Sequence, residues 1–134
     1  MQKSEYDRKY PTCSKTYATL RIYHDKITPE EITQSLDILP TDCQLKNEKI
    51  KFNGWFLSSE KMVKSKDCRE HIDSILNDIV FKKEFIESLI EQGALIDMSC
   101  FWLSKDGQGG PTLSPSQCQK LAELKIDIWF DFYM

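Results

Sequence analysis

The chain alternates between two hydrophobic periods, and the switches between them mark its elements. Residues 16–23 (TYATLRIY) set Ala18, Leu20 and Ile22 against Tyr17, Thr19, Arg21 and Tyr23. A period of two means a strand with one face buried. Thr28-Pro29-Glu30-Glu31 then supplies an N-cap, a proline at the first helical position and a glutamate at the third, which is a capping box. Its helix carries Ile32, Ser35 and Leu36 and stops before Pro40; Pro40-Thr41-Asp42 reads as a turn. Residues 50–58 read as a second strand, with Asn53-Gly54 as a bulge or turn before Trp55-Phe56-Leu57.

After a lysine-rich loop, Asp67 with Glu70 predicts another capping box. His71, Ile72, Ile75, Leu76 and Ile79 share a helix face, and Phe81, Phe85, Ile86, Leu89 and Ile90 continue the spacing in one bent helix or two, up to Gly93. Residues 95–103 (LIDMSCFWL) read as an interior strand, and 105–112 (KDGQGGPT) as a flexible loop. Ser114-Pro115-Ser116-Gln117 repeats the first helix start, and its helix carries Cys118, Leu121, Ala122 and Leu124. In residues 125–133, Ile126, Ile128, Phe130 and Phe132 are expected inside, with Asp127, Trp129, Asp131 and Tyr133 outside.

The first and last thirds thus look alike: strand, helix start, short helix, strand. The expectation is an α+β fold: a ferredoxin-like split βαβ sandwich with a mostly antiparallel sheet and a helical insertion between its halves. The alternative is an open antiparallel sheet with helices on one face. Residues 1–15 read as a loosely held polar arm, and 16–134 as a single α+β domain, which suits 134 residues.

Composition is that of an ordinary globular chain, 40% hydrophobic and 29% charged. A net charge of −3 supplies no positive field for nucleic acid or anionic lipid. The charge is uneven: residues 1–70 hold 13 Lys and Arg against 11 Asp and Glu, and residues 71–134 hold 5 against 10. No apolar run nears the roughly 20 residues that cross a bilayer, and the start carries no signal-like stretch. The five cysteines, Cys13, Cys43, Cys68, Cys100 and Cys118, are widely spaced without CxxC. They read as free thiols of a cytoplasmic protein, with Cys100 as a core residue and no metal or cofactor called for.

Three constellations have chemical potential. Cys68 and His71, at i and i+3, would suit a nucleophile and base or half a metal site; the plainer reading caps the helix at Asp67 and puts His71 at the core edge. His24-Asp25 would suit a base and its orienter, but more simply forms a turn. Gly107, Gly109 and Gly110 sit in a loop that matches neither phosphate-binding glycine pattern. None makes a catalytic set. The remaining candidate is a surface. Trp129 and Tyr133 share a strand face with Asp127 and Asp131, and rings among carboxylates suit protein binding more than phosphate.

These pieces together resemble an uncharacterised bacterial family, the domain of unknown function numbered 4279, over about residues 16–133. The resemblance rests on the TPEEIT helix start, Pro40, Trp55 with Leu57-Ser58, His71-Ile72-Asp73, Gly109-Gly110, Leu113-Ser114 and the closing Asp131-Phe132-Tyr133. One departure is Asn47, where the family has glycine; asparagine also tolerates a left-handed backbone. The resemblance implies a small stand-alone α+β protein of a kind met among bacterial immunity and accessory genes, and transfers no catalytic residue.

The expected function is therefore a cytoplasmic protein-binding domain, an immunity protein that occludes one cognate toxin through Asp127, Trp129, Asp131 and Tyr133. The rival is a small-molecule-binding domain or small enzyme using Cys68, His71, Gly109 and Gly110. A homodimer through the aromatic face or a strand edge is a third expectation.

Overall fold

The computed structural model describes residues 6–134. The first five residues of the expected arm lie outside the described residues. Strand β1 (Cys13–His24) is followed by helix α1 (Pro29–Leu36), a short strand β2 (Asp42–Gln44) and strand β3 (Asn53–Ser58). Helix α2 (Cys68–Ile79), a 3-10 turn (Val80–Lys82) and helix α3 (Lys83–Glu91) lead to strand β4 (Leu95–Ser104). Helix α4 (Pro115–Leu124) and strand β5 (Asp127–Tyr133) close the chain. The five strands form one mixed sheet in the order β2-β3-β1-β4-β5. β2 with β3, β3 with β1 and β1 with β4 are antiparallel, while β4 and β5 are parallel.

The fold is α+β with a mostly antiparallel sheet, but its halves fall elsewhere than the sequence suggests. β1 and β2 run parallel with β3 between them, and β3 and β4 run parallel with β1 between them. The two interleaved βαβ units are thus β1-α1-β2 and β3-α2/α3-β4. The helices over 68–91 are the second crossover and not an insertion. α4 and β5 are an addition at the edge: β1 already has two neighbours, so the returning strand joins the free side of β4. The cause of the misplacement is β2, which lies where the sequence suggests only a turn.

Helices cover one face of the sheet. Ala18, Leu20 and Ile22 of β1, Trp55 and Leu57 of β3, and Met98, Cys100 and Trp102 of β4 point into a core with Ile32, Leu36, Ile72, Ile75, Leu76, Ile79 and Ile86. At about 25 cal/mol per Å² of apolar surface, this layer is the main stabilising term. α1 opens as expected, with Glu31 N donating to Thr28 Oγ1 and the chain leaving through Asp37 at φ 57°. Asp67 caps α2 by accepting from Arg69 N, but the predicted capping box does not form: Glu70 instead takes the Arg8 guanidinium at 2.8 and 3.0 Å.

Five further expectations change. The arm is held from Tyr6 onward, by Tyr6 Oη to Asp73 (2.5 Å), Asp7 N to Asp67 (2.7 Å) and Tyr10 packed edge-on against Trp102. The 3-10 turn breaks the helical spacing, so Phe81 is 90% exposed and does not join the core. Phe132 is 56% exposed, because α4 covers the start of β5 through Leu121, Leu124 and Ile126 but not its end. Gly54 lies within β3 and not in a turn, where a Cβ would collide with the Phe56 ring and Gln44. Asn47 does not use a left-handed backbone. Its side chain accepts from Lys49 N and Ile50 N, which holds the turn.

Candidate functional site

The residues of the three chemical constellations, His71, Cys68 and His24, lie on the covered side with their polar atoms spent within the fold, while the free thiols of Cys43 and Cys118 are exposed. His71 is 1% exposed. Its Nε2 donates to the Ser65 carbonyl (2.8 Å), which leaves Nδ1 to accept from Ser59 Oγ (2.7 Å). Ser59 Oγ in turn accepts from Ala18 N at 2.9 Å. Burial lowers the His71 pKa from its ordinary 6.5 and keeps the ring neutral. This pair joins the end of β3 to β1 and α2; it has the contents of a serine–histidine dyad but no access to a substrate.

Cys68 turns away from His71. Its Sγ bonds the Thr112 carbonyl at 3.4 Å. A hydrogen bond to the Cys100 thiol, then burial, push its pKa up, away from the thiolate that nucleophilic or metal chemistry needs. The two side chains thus share a helix turn without sharing a site. Among the described residues, no group of three His, Cys, Asp or Glu is placed to hold a metal.

The glycine loop is pinned as well. Tyr10 Oη donates to the Gly110 carbonyl at 2.6 Å, and Gly107 N donates to Ser104 Oγ at 2.8 Å. Gly109 has φ +81° and lies against Thr12, so a Cβ has no room. Gly109 and Gly110 thus meet Thr12 and Tyr10, whereas His71 is bonded to Ser59 and Ser65. His24 takes the turn reading: Nδ1 accepts from Lys26 N and Ile27 N, and Nε2 donates to the Gln92 carbonyl.

A buried polar chain that sequence reasoning missed ties these parts together. Gln117 Nε2 donates to both Asp73 oxygens at 2.9 Å, while its Oε1 accepts from Ser114 N. Arg69 bonds Ser114 Oγ at 2.9 Å and Asp67 at 2.6 Å. Burial alone would raise the Asp67 pKa, but the Arg69 guanidinium and two backbone N–H groups lower it overall. This network locks α2, α4 and the arm together.

The opposite face of the sheet is different. The strand registers place Asp127, Trp129, Asp131 and Tyr133 in line with Asp97, Ser99, Phe101 and Leu103 of β4. These continue into Arg21, Thr19 and Tyr17 of β1. The four predicted residues therefore share one open face, with Trp129 and Tyr133 each 49% exposed. Tyr17 stacks on Phe101 (centroids 4.8 Å, planes 12° apart), and Phe101 meets Tyr133 at 5.0 Å. Tyr23 and Phe56 add an edge-to-face pair. Tyr17, Tyr23, Phe56 and Phe101 were not foreseen as part of this surface. The period-two alternation in β1 already put Tyr17 and Tyr23 on it, but strand neighbours are not written in the sequence.

Charge on this face is arranged unevenly. Arg21 and Asp97 form a bidentate pair at 2.7 and 2.6 Å, and the guanidinium lies 5.1 Å from the Trp129 ring centre. Among the described residues, Asp127 and Asp131 have no ion-pair partner. Toward β3 the face dips into an open groove of about 390 Å³ lined by Tyr17, Thr19, Asp42, Phe56 and Met62. The surface thus combines an aromatic ladder, a groove and unneutralised carboxylates, which suits contact with a basic, partly apolar surface.

Fold and surface together define an α+β domain whose sheet is covered on one face and aromatic on the other. The chain belongs to the family described as Domain of unknown function (DUF4279), which matches residues 14–134. No curated protein and no solved structure matches it. Among the described residues, no helix is long and apolar enough to cross a membrane.

Proposed function

We propose that this chain is a protein-binding domain that acts in the cytoplasm as an immunity protein, occluding one cognate toxin with the open face of its sheet. The observation that carries this reading is the set Asp127, Trp129, Asp131 and Tyr133, presented beside the Tyr17–Phe101 ladder with neither carboxylate ion-paired among the described residues. Trp and Tyr anchors dominate interface energetics, and unpaired carboxylates steer a basic cleft toward them. The fold reading that accompanies it is a ferredoxin-like core, β1-α1-β2-β3-α2/α3-β4, extended by α4 and β5. In it the helices support the sheet from behind and leave its front for a partner.

The test is affinity capture of the tagged full chain from its native host, beside the Trp129→Ala/Asp127→Lys double variant. The expected result is one stoichiometric protein that is toxic when expressed alone and harmless when co-expressed with this chain. The double variant should bind it about thirtyfold or more weakly. A partner that binds both forms equally, or that has no toxicity, overturns the reading.

A further inference from the structure

The two edges of the sheet are not alike. β2 is three residues long, follows Pro40 and leads into Lys46, Lys49 and Lys51, features that discourage a further strand. β5 is seven residues long (DIWFDFY), with no lysine, arginine, proline or glycine. Among the described residues, no backbone group of 127–133 bonds anything beyond the β4 ladder. Exposed apolar side chains flank this edge on both faces, Trp129 and Tyr133 on one and Phe132 on the other. A long edge of this kind, whose only charges are Asp127 and Asp131, is a template for pairing in any register that keeps those carboxylates from facing each other.

We propose that this edge pairs antiparallel with the β5 edge of a second copy of the chain, making one continuous ten-stranded sheet about a two-fold axis at Phe130. The choice of occupant rests on self-complementarity. In an antiparallel pair that keeps the two covered faces on the same side, the axis must pass through a residue and its own copy. An axis at Trp129 sets Asp127 against Asp131 of the other copy, twice. An axis at Asp131 sets that carboxylate against itself. Like charges directly opposite one another are destabilising. An axis at Ile128 leaves only residues 127–129 of the strand paired.

The axis at Phe130 pairs all seven residues and opposes no carboxylates. Asp127 then faces Tyr133, Ile128 faces Phe132, and Trp129 faces Asp131 of the other copy. The Ile128–Phe132 pairs cover the ring that α4 leaves exposed. The open face is doubled and not buried; Asp127, Trp129, Asp131 and Tyr133 lie along the seam, but the pairing does not rest on the toxin-binding reading and is measured without any partner.

The experiment is sedimentation equilibrium of the purified full chain, wild type beside Trp129→Lys and Trp129→Glu. Position 129 is half exposed, so both variants are expected to fold, which far-UV circular dichroism checks. The wild type should show twice the mass of the 15.7 kDa chain. In the Phe130 register, Trp129→Lys places an ammonium opposite Asp131 and Trp129→Glu places a carboxylate there. The Glu variant should therefore dissociate with a Kd at least about tenfold above that of the Lys variant, with the gap narrowing in high salt. A wild type that stays monomeric at about 100 μM, weaker than specific interfaces generally are, overturns the proposal. So do Lys and Glu variants that dimerise equally well.

Discussion

The covered and open faces of the sheet sort side chains in a way their chemistry alone would not suggest. On the covered side lie the histidines, Cys68, Cys100, and the Asp67–Arg69 and Asp73–Gln117 contacts, each with its polar atoms engaged. On the open side lie ordinary aromatic residues and aspartates, with area and charge left over. The lesson is that spare capacity, and not intrinsic reactivity, marks the surface available to another molecule. A buried histidine with both nitrogens bonded is structure; an exposed tryptophan between two carboxylates without an ion-pair partner among the described residues is available for contact.

The comparison can be broken most sharply within one strand. Leu20 is fully buried, and Thr19 beside it points to the open face. Leu20→Ala should cost about 2–5 kcal/mol, because the core around a central strand relaxes little around the cavity. Thr19→Ala should change stability by about 0.5 kcal/mol or less. Urea unfolding of the two variants reads both. A Thr19→Ala loss approaching that of Leu20→Ala would mean that the open face is packed against something.

Much of this division is legible in the sequence. Strict alternation in 16–23 and 125–133 assigns faces correctly for Leu20, Ile22, Trp129 and Tyr133, and two proline-marked helix starts fall where α1 and α4 begin. What escapes is what depends on distant neighbours. β2 has three residues and no usable period, so its pairing with β3 is invisible, and with it the correct partition into βαβ units. Phe81 fits a helical stripe that the 3-10 turn then rotates out of register. Cys68 and His71 share a helical spacing, but one meets Cys100 and Thr112 while the other meets Ser59 and Ser65. The aromatic ladder needs the strand order, which no local pattern encodes.

A middle-sized effect sharpens the covered side. His71→Gln removes a ring bonded at both nitrogens, leaving the Ser65 carbonyl and the Ser59 hydroxyl imperfectly paired, at a cost of about 1–3 kcal/mol at pH 7.5. That cost depends on pH. Because burial lowers the His71 pKa, the unfolded chain takes up its proton near 6.5 while the native protein still resists it. Between those values the unfolded state holds more protons, so stability falls as pH falls. Denaturant titrations from pH 7.5 to 5 should show the wild type losing more stability than His71→Gln, so the gap between them closes. Parallel curves would show that the imidazole titrates alike in both states, against its sealed position.

The smallest effect bears most directly on what the open face is for. Asp127 is exposed and lies in register with Asp97 of β4, whose carboxylate is already taken by Arg21. Two carboxylates side by side on neighbouring strands repel, and cross-strand charge pairs are worth about 0.2–1 kcal/mol. Asp127→Lys replaces that repulsion with attraction. It should leave the fold intact and stabilise it by about 0.2–0.5 kcal/mol at low ionic strength, an effect that shrinks in salt. Thermal unfolding at two salt concentrations measures it. A loss above about 1 kcal/mol would instead mean that Asp127 holds the structure together. A gain in stability coupled to a loss of partner binding is the signature of a side chain kept at some cost to the fold, and that is how a carboxylate placed for recognition differs from one placed for packing.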